Sequence, residues 1–293
     1  VLRRSSVVYG SLFVLNGSEY VKGWWRGIHM ETNSTQNKIE YASISDAGSN
    51  YVFCCNEIAS LYLKDGQMTL RNTTISNGDN YGIYAGSDFE FNEYGSNKIT
   101  THTNSPLYIT MVQAGQLDST NSEYVGNEDD YVRIRTVQVE EETELHKNGV
   151  PYLIESVINV TEGLSIYAGA NFVFEANGGI GVYDNGTFYV GGRSGAEVTF
   201  RGLNNVQGYW RGIHTETNSA ENVIRHAEID GAGTNYVYCC NTIAGLFIKS
   251  GIMTVENSSI TRSGGCGIAV RSAATLTESG NTFSDNSDGN ICQ

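Results

Sequence analysis

Apolar residues come in short alternating runs bounded by turn formers. Ile28-His29-Met30-Glu31 alternates residue by residue, and Ile39 to Ile44, Leu61-Tyr62-Leu63, Met68-Thr69-Leu70 and Ile83-Tyr84 follow with Gly, Asn, Asp or Ser close by. Side chains alternate between the two faces of a strand. Ile28 and Met30 are therefore predicted on one face, with His29 and Glu31 sharing the outer one. An earlier run, Ser11 to Leu15, reads as a strand closed by the turn Asn16-Gly17-Ser18. Later runs include Val157-Ile158-Asn159-Val160, Leu164-Ser165-Ile166 and Phe172-Val173-Phe174. Most have about three to six residues, and no long block carries helical spacing.

The pattern is written twice. Trp25-Arg26-Gly27-Ile28-His29-Met30-Glu31-Thr32-Asn33-Ser34 returns at Trp210-Arg211-Gly212-Ile213-His214-Thr215-Glu216-Thr217-Asn218-Ser219, a shift of 185 positions. The shift holds without a gap, and 34 of the 63 positions from Val21 to Ile83 are identical to their counterparts. Before Val21 the match is weak, with Gly10 meeting Gly195 and Gly17 meeting Gly202.

Short strands with frequent turns suit a sandwich, a propeller or a solenoid. A sandwich does not predict a register kept at so long an offset, and a propeller expects a period of about 40 to 50 residues. An all-β parallel β-helix fits, with about eight coils of roughly 22 to 26 residues in each 185. The expected organisation is a first module over residues 1–100, connecting coils with acidic loops over 101–150, and a second module over 151–293, in one continuous rod.

The residues that carry the repeat also carry a resemblance. Gly23-x-Trp25-x-Gly27-Ile28, Ile39-x-Tyr41-x-x-Ile44, Ala47-Gly48, Met68-Thr69-Leu70-x-Asn72-x-x-Ile75 and Gly82-Ile83 resemble the right-handed parallel β-helix modules of secreted bacterial (Bacteroidota-like) surface proteins. Gly149-Val150-Pro151-Tyr152 with Gly163-Leu164-Ser165-Ile166 looks like the opening of such a module, and Asn281 to Asn286 like its closing turn. The resemblance covers the chain from about Gly10 onward. It implies a right-handed, pectate-lyase-like solenoid and transfers no catalytic residue.

Composition narrows the partners. A net charge of −14 argues against nucleic acid, whose phosphates demand a basic face. No apolar run reaches the roughly 18 residues of a membrane span. The chain has no initiating Met or signal-like start, and Val1 falls inside the pattern, so a piece of a longer chain is expected. Such solenoids also host polysaccharide lyases and hydrolases. Asp129-Asp130 and Arg133-Ile134-Arg135 are present, but the Gly-His-Gly that pectin-cleaving hydrolases need is not, and the expectation is no enzyme.

The site candidates by residue type are Arg26, His29 and Glu31, repeated as Arg211, His214 and Glu216. A His and a carboxylate on one face can form an acid–base pair or half a metal site. No third metal ligand lies nearby in sequence, and the expectation is a solvated outer row with no metal. The acids around 128 to 144 have the chemistry to hold calcium, although solvated loops are the simpler reading, and no cofactor is expected.

Cys54-Cys55 and Cys239-Cys240 are repeat equivalents, each either a vicinal disulfide or a pair of buried thiols. Cys266 and Cys292 lie 26 apart, about one coil, and meet Tyr81 and Leu107 at the 185 shift. Their joint absence from the first copy predicts a coil-to-coil disulfide and an extracellular location. Asn72 and Asn257 are equivalent glycosylation sequons, and Asp118-Ser119-Thr120 looks like an O-glycosylation motif of the resembled proteins, placing the sugar on Ser119. The expected role is a non-enzymatic structural or adhesive segment, with neighbouring modules, further copies stacked end to end, or glycans as partners.

Overall fold

The computed structural model describes residues 7–8, 13–17, 21–135 and 137–293. Of the predicted early strand, Phe13–Leu15 is present; Gly10, Ser11, Leu12 and Ser18 lie outside the described residues. The chain gathers into two compact units, Val1–Thr136 with Asn148–Pro151, and Val137–Lys147 with Tyr152–Gln293. The acidic stretch 101–150 supplies strands to both, Leu107–Ile109 and Val132–Ile134 to the first, Gln138–Val139 and Thr143–Leu145 to the second.

In the second unit the chain visits three parallel sheets in turn, the arrangement of a β-solenoid. One sheet runs through Val157–Val160, Gly179–Val182, Ile213–Thr215, Ala244–Ile248, Cys266–Val270 and Gly289–Cys292. Its inward positions form a ladder, Ile158 to Ile180 to Ile213 to Leu246 to Ile268, and each of these is buried. The sheet of Tyr152–Ile154, Asn171–Phe174, Val198–Gly202 and Ala227–Asp230 carries the stacked rings of Phe172 and Phe200, 5.3 Å apart. Each buried aliphatic or aromatic side chain contributes roughly 1.5–3 kcal/mol. That repeated gain fixes the register, because a one-residue slip would turn the whole row outward.

In the first unit the described strands form two parallel sheets, and some strands are longer. Ala59–Arg71 and Tyr81–Gly95 have 13 and 15 residues, well beyond the short runs expected. Register shifts between Leu63 and Asp65 and between Met68 and Thr69 let each bend without breaking. The first half of Ala59–Arg71 thus pairs with Ile28–Thr32 and its second half with Lys38–Glu40. A five-residue helix, Met111–Gly115, was not foreseen. Its signal was a capping box, in which Thr110 Oγ1 accepts from Gln113 N and Gln113 Oε1 accepts from Thr110 N.

Coil length departs from the expected range where the two copies are most alike. Leu61 pairs with Ile83 and Leu246 with Ile268, steps that match the short end of that range. The steps before them, Ile28 to Leu61 and Ile213 to Leu246, are half as long again. Most of the excess sits in one place. The chain from Ser45 to Ala59, and equally from Asp230 to Ala244, makes a long excursion, whereas the next coil crosses directly from Ser76 to Tyr81 or from Thr261 to Cys266. This extra loop carries the adjacent cysteines.

The Trp-Arg-Gly stretch anchors the strand beneath that loop. The Trp25 and Trp210 indoles donate to the carbonyls of Ser45 and Asp230, at 2.7 and 2.9 Å. Gly27 and Gly212 have φ of 104° and 105°, and a Cβ there would meet Ala59 O or Ala244 O at 2.7 or 2.5 Å. Only glycine fits so close to the next coil.

The third cysteine pair lies one coil further on. Cys266 and Cys292 are at disulfide distance with Cα atoms 6.1 Å apart. Register corrects their counterparts: Cys292 pairs beside Ala269 as Tyr108 pairs beside Tyr84, so the first-copy equivalents are Tyr81 and Tyr108, not Leu107. Those two tyrosines stack at 4.9 Å with their planes 20° apart. An aromatic clamp in one copy is a covalent clamp in the other. Replacing both cysteines, Cys266→Ser with Cys292→Ser, is expected to cost about 3 kcal/mol for a loop of this length, read as a lower urea midpoint under non-reducing conditions.

Candidate functional site

The extra loop folds over the outer face of the strand that carries the repeated histidine. His29 and His214 were expected in a solvated row; both are instead fully buried, at 0 % exposure. The physical reason is the loop itself, which supplies a roof the alternation pattern cannot show. Phe53 meets the His29 ring edge-on with centroids 5.9 Å apart, and Tyr238 meets His214 at 6.2 Å. The next coil closes the other side, with Tyr62 at 4.9 Å from His29 and Phe247 at 5.0 Å from His214.

Beneath each roof lie the same three polar residues, more closely joined in the first copy. His29 Nε2 is 3.2 Å from Glu31 Oε2, and Lys64 Nζ donates to Glu31 Oε1 at 2.9 Å. In the second copy His214 Nε2 is 3.6 Å from Glu216 Oε1, with Lys249 Nζ 2.5 Å from Glu216 Oε2. Lys64 and Lys249 were missed from the sequence, although they are repeat equivalents; Lys64 lies within Ala59–Arg71 and Lys249 directly follows Ala244–Ile248. The expected arginines do not join these residues. Arg26 is exposed, and Arg211 reaches the loop carbonyl of Tyr236 at 3.4 Å.

Electrostatics keep the imidazoles neutral. Burial lowers the pKa of His29 and of His214, and the neighbouring glutamate opposes that only in part. Lys64 in turn holds Glu31 below its usual range through their hydrogen bond. Nδ1 of His29 is buried without a hydrogen-bond partner, and in His214 both ring nitrogens are.

The loop tip is built alike in both copies. Cys54 and Cys55 are at disulfide distance, as are Cys239 and Cys240. The first member of each pair is half-buried and the second is exposed. Cys55 and Asn56 have φ of 74° and 58°, Cys240 and Asn241 of 73° and 51°. Asn tolerates the left-handed region, so the uncommon member of each pair is the cysteine. Among the described residues, His29, Glu31 and Cys54 converge, one donor atom from each lying within 4.8 Å of the others.

Other candidates are placed apart from this site. Asp129 is 2.8 Å from Arg133, and Asp130 accepts from the backbone of Gly126 and Asn127, so these acids serve their own turn. Asn72 and Asn257 occupy left-handed corners, φ 49° and 50°, a conformation that suits Asn. Ser119 is exposed in a turn organised by the Asp118 carboxylate. An aromatic row, Tyr62, Tyr84 and Tyr108, continues outward from His29 in register, with the Arg135 guanidinium 5.0 Å over Tyr84.

No protein-family model, curated protein or solved structure matches the chain.

A third buried histidine, His102, hydrogen-bonds Ser60 Oγ and Asn127 Oδ1, and burial holds its pKa down to about 4. A histidine depressed in the folded chain stabilises it above the unfolded value near 6.5, and the gain is lost as pH falls toward 4. Acidification from about pH 7 to 4 is expected to lower the urea midpoint, with about 3 kcal/mol coming from His102. His102→Gln should remove that share of the profile and leave the part that His29 and His214 contribute.

Proposed function

We propose that the chain is a non-enzymatic structural or adhesive segment of a secreted cell-surface protein or extracellular filament. In this reading it is a right-handed parallel β-helix of two homologous modules, each displaying one roofed loop. The observation that carries it is the exchange of the Tyr81–Tyr108 stack for the Cys266–Cys292 pair at the same register. A cysteine clamp replaces an aromatic one usefully only where disulfides persist, outside the reducing cytosol. All six cysteines lie in such pairs.

The adhesive part rests on the loop tips. Tyr51 and Phe53 in one copy, and Tyr236 and Tyr238 in the other, are exposed beside the cysteine pair. Large exposed aromatics at matching places on two loops offer repeated contact points to a partner. A second reading, glycan binding, is favoured by a groove of about 530 Å³ in the second unit. Tyr183 and Tyr238 line it with Asn159, Thr161 and Glu216, planar rings beside hydrogen-bonding groups.

Electron microscopy of the purified chain at high concentration tests the choice. Filaments are expected, with fibre diffraction showing a coil repeat of about 4.8 Å along the axis. Monodisperse monomers together with saturable glycan binding, lost in Tyr238→Ala, would replace the structural reading with the glycan-binding one.

A further inference from the structure

The roof over His29 does more than exclude water: it delivers a third donor. His29 and Glu31 are fixed by one strand, and Cys54 arrives from the loop that folds back over it, so that the three donor atoms lie within 4.8 Å of one another. The Nε2 to Oε2 separation of 3.2 Å is close to the edge of a tetrahedral site, about 3.3 Å for zinc bonds of roughly 2.0–2.1 Å. The imidazole is fully buried beside both other donors, with Nε2 turned toward the carboxylate. A mixed Cys, His and carboxylate set suits zinc better than calcium or magnesium.

We propose that His29, Glu31 and Cys54 form a zinc site that is latent while Cys54 is joined to Cys55 and is unmasked when that bond is reduced. A dithiol reductant supplies two electrons and two protons. The Cys54–Cys55 bond breaks, both sulfurs become thiols, and the reductant closes its own disulfide. On metal binding the Cys54 thiol releases its proton to solvent, and Glu31 exchanges the Lys64 ammonium for the ion. Water fills the fourth position. The second copy is not expected to bind, because Cys239 does not converge with His214 and Glu216 among the described residues. The site is thus one per chain, and it does not depend on the structural role proposed above.

Two single substitutions separate ligation from disulfide loss, since both break the same bond. Cys55→Ser frees the Cys54 thiol and should bind one equivalent of cobalt(II) without reductant. The bound ion should show thiolate-to-cobalt charge-transfer absorption and be displaced by zinc. Cys54→Ser should bind none, in oxidised or reduced protein. In the unaltered chain binding should appear only after dithiothreitol treatment and its anaerobic removal. It should weaken at least tenfold in Glu31→Gln and persist in Cys239→Ser with Cys240→Ser. Equal binding by the Cys54→Ser and Cys55→Ser chains, or none by a folded Cys55→Ser chain, would overturn the proposal. Folding of both variants is checked by their circular dichroism, and a Cys55→Ser chain that does not fold leaves the reduced unaltered chain to decide: no cobalt bound there overturns it equally.

Discussion

Everything in this molecule depends on coil-to-coil register. Parallel strands gain little from a hydrogen-bond ladder alone; what fixes their alignment is the inward row of Ile158, Ile180, Ile213, Leu246 and Ile268 in the second unit. In the first unit Ile28, Leu61, Ile83, Leu107 and Val132 play the same part. With the inward row fixed, alternation dictates what faces out. The outer row is then free to differ between copies. It carries Tyr62, Tyr84 and Tyr108 in one, and Phe247, Ala269 and Cys292 at the equivalent places in the other.

The extra loop turns one outward position into a buried one. A histidine on the outside of a solenoid would titrate near its ordinary value, with a solvated glutamate two residues on. Covering it with an aromatic ring removes water, depresses its pKa and leaves the glutamate and lysine at the rim. Retention of loop, histidine, glutamate and lysine together in both copies is physically coherent. The buried ring needs the roof, and the roof turns back through a left-handed residue at Cys55 or Cys240, beside the cysteine pair.

Much of this was legible from residues alone. The inward and outward faces of Ile28 to Glu31 followed from alternation, and the solenoid from a repeat that never loses step between Val21 and Ile83. What the sequence could not show was depth. Period-two patterning separates the two faces of a strand, but does not say whether the outer face is covered by a segment that returns later. His29 was therefore expected in solvent, and Cys54 was not recognised as its neighbour. Coil length was misjudged for a related reason, since a long loop and a pair of strands consume residues alike. The Cys292 counterpart was off by one because the second copy is a residue shorter in that coil, from Ile268 to Ile291, than the first is from Ile83 to Leu107. Ungapped sequence comparison cannot see such a change, whereas register pairing does.

The roofed histidine is the central claim, and its most direct test is carbethoxylation of the native, oxidised chain followed by peptide mapping of all five histidines. His146, about half exposed, provides the reactive reference. His29 and His214 should remain unmodified under conditions that fully label His146, and both should become reactive when the chain is unfolded. Labelling of His29 and His214 in the native chain at the rate of His146 would contradict the roof and everything built on it.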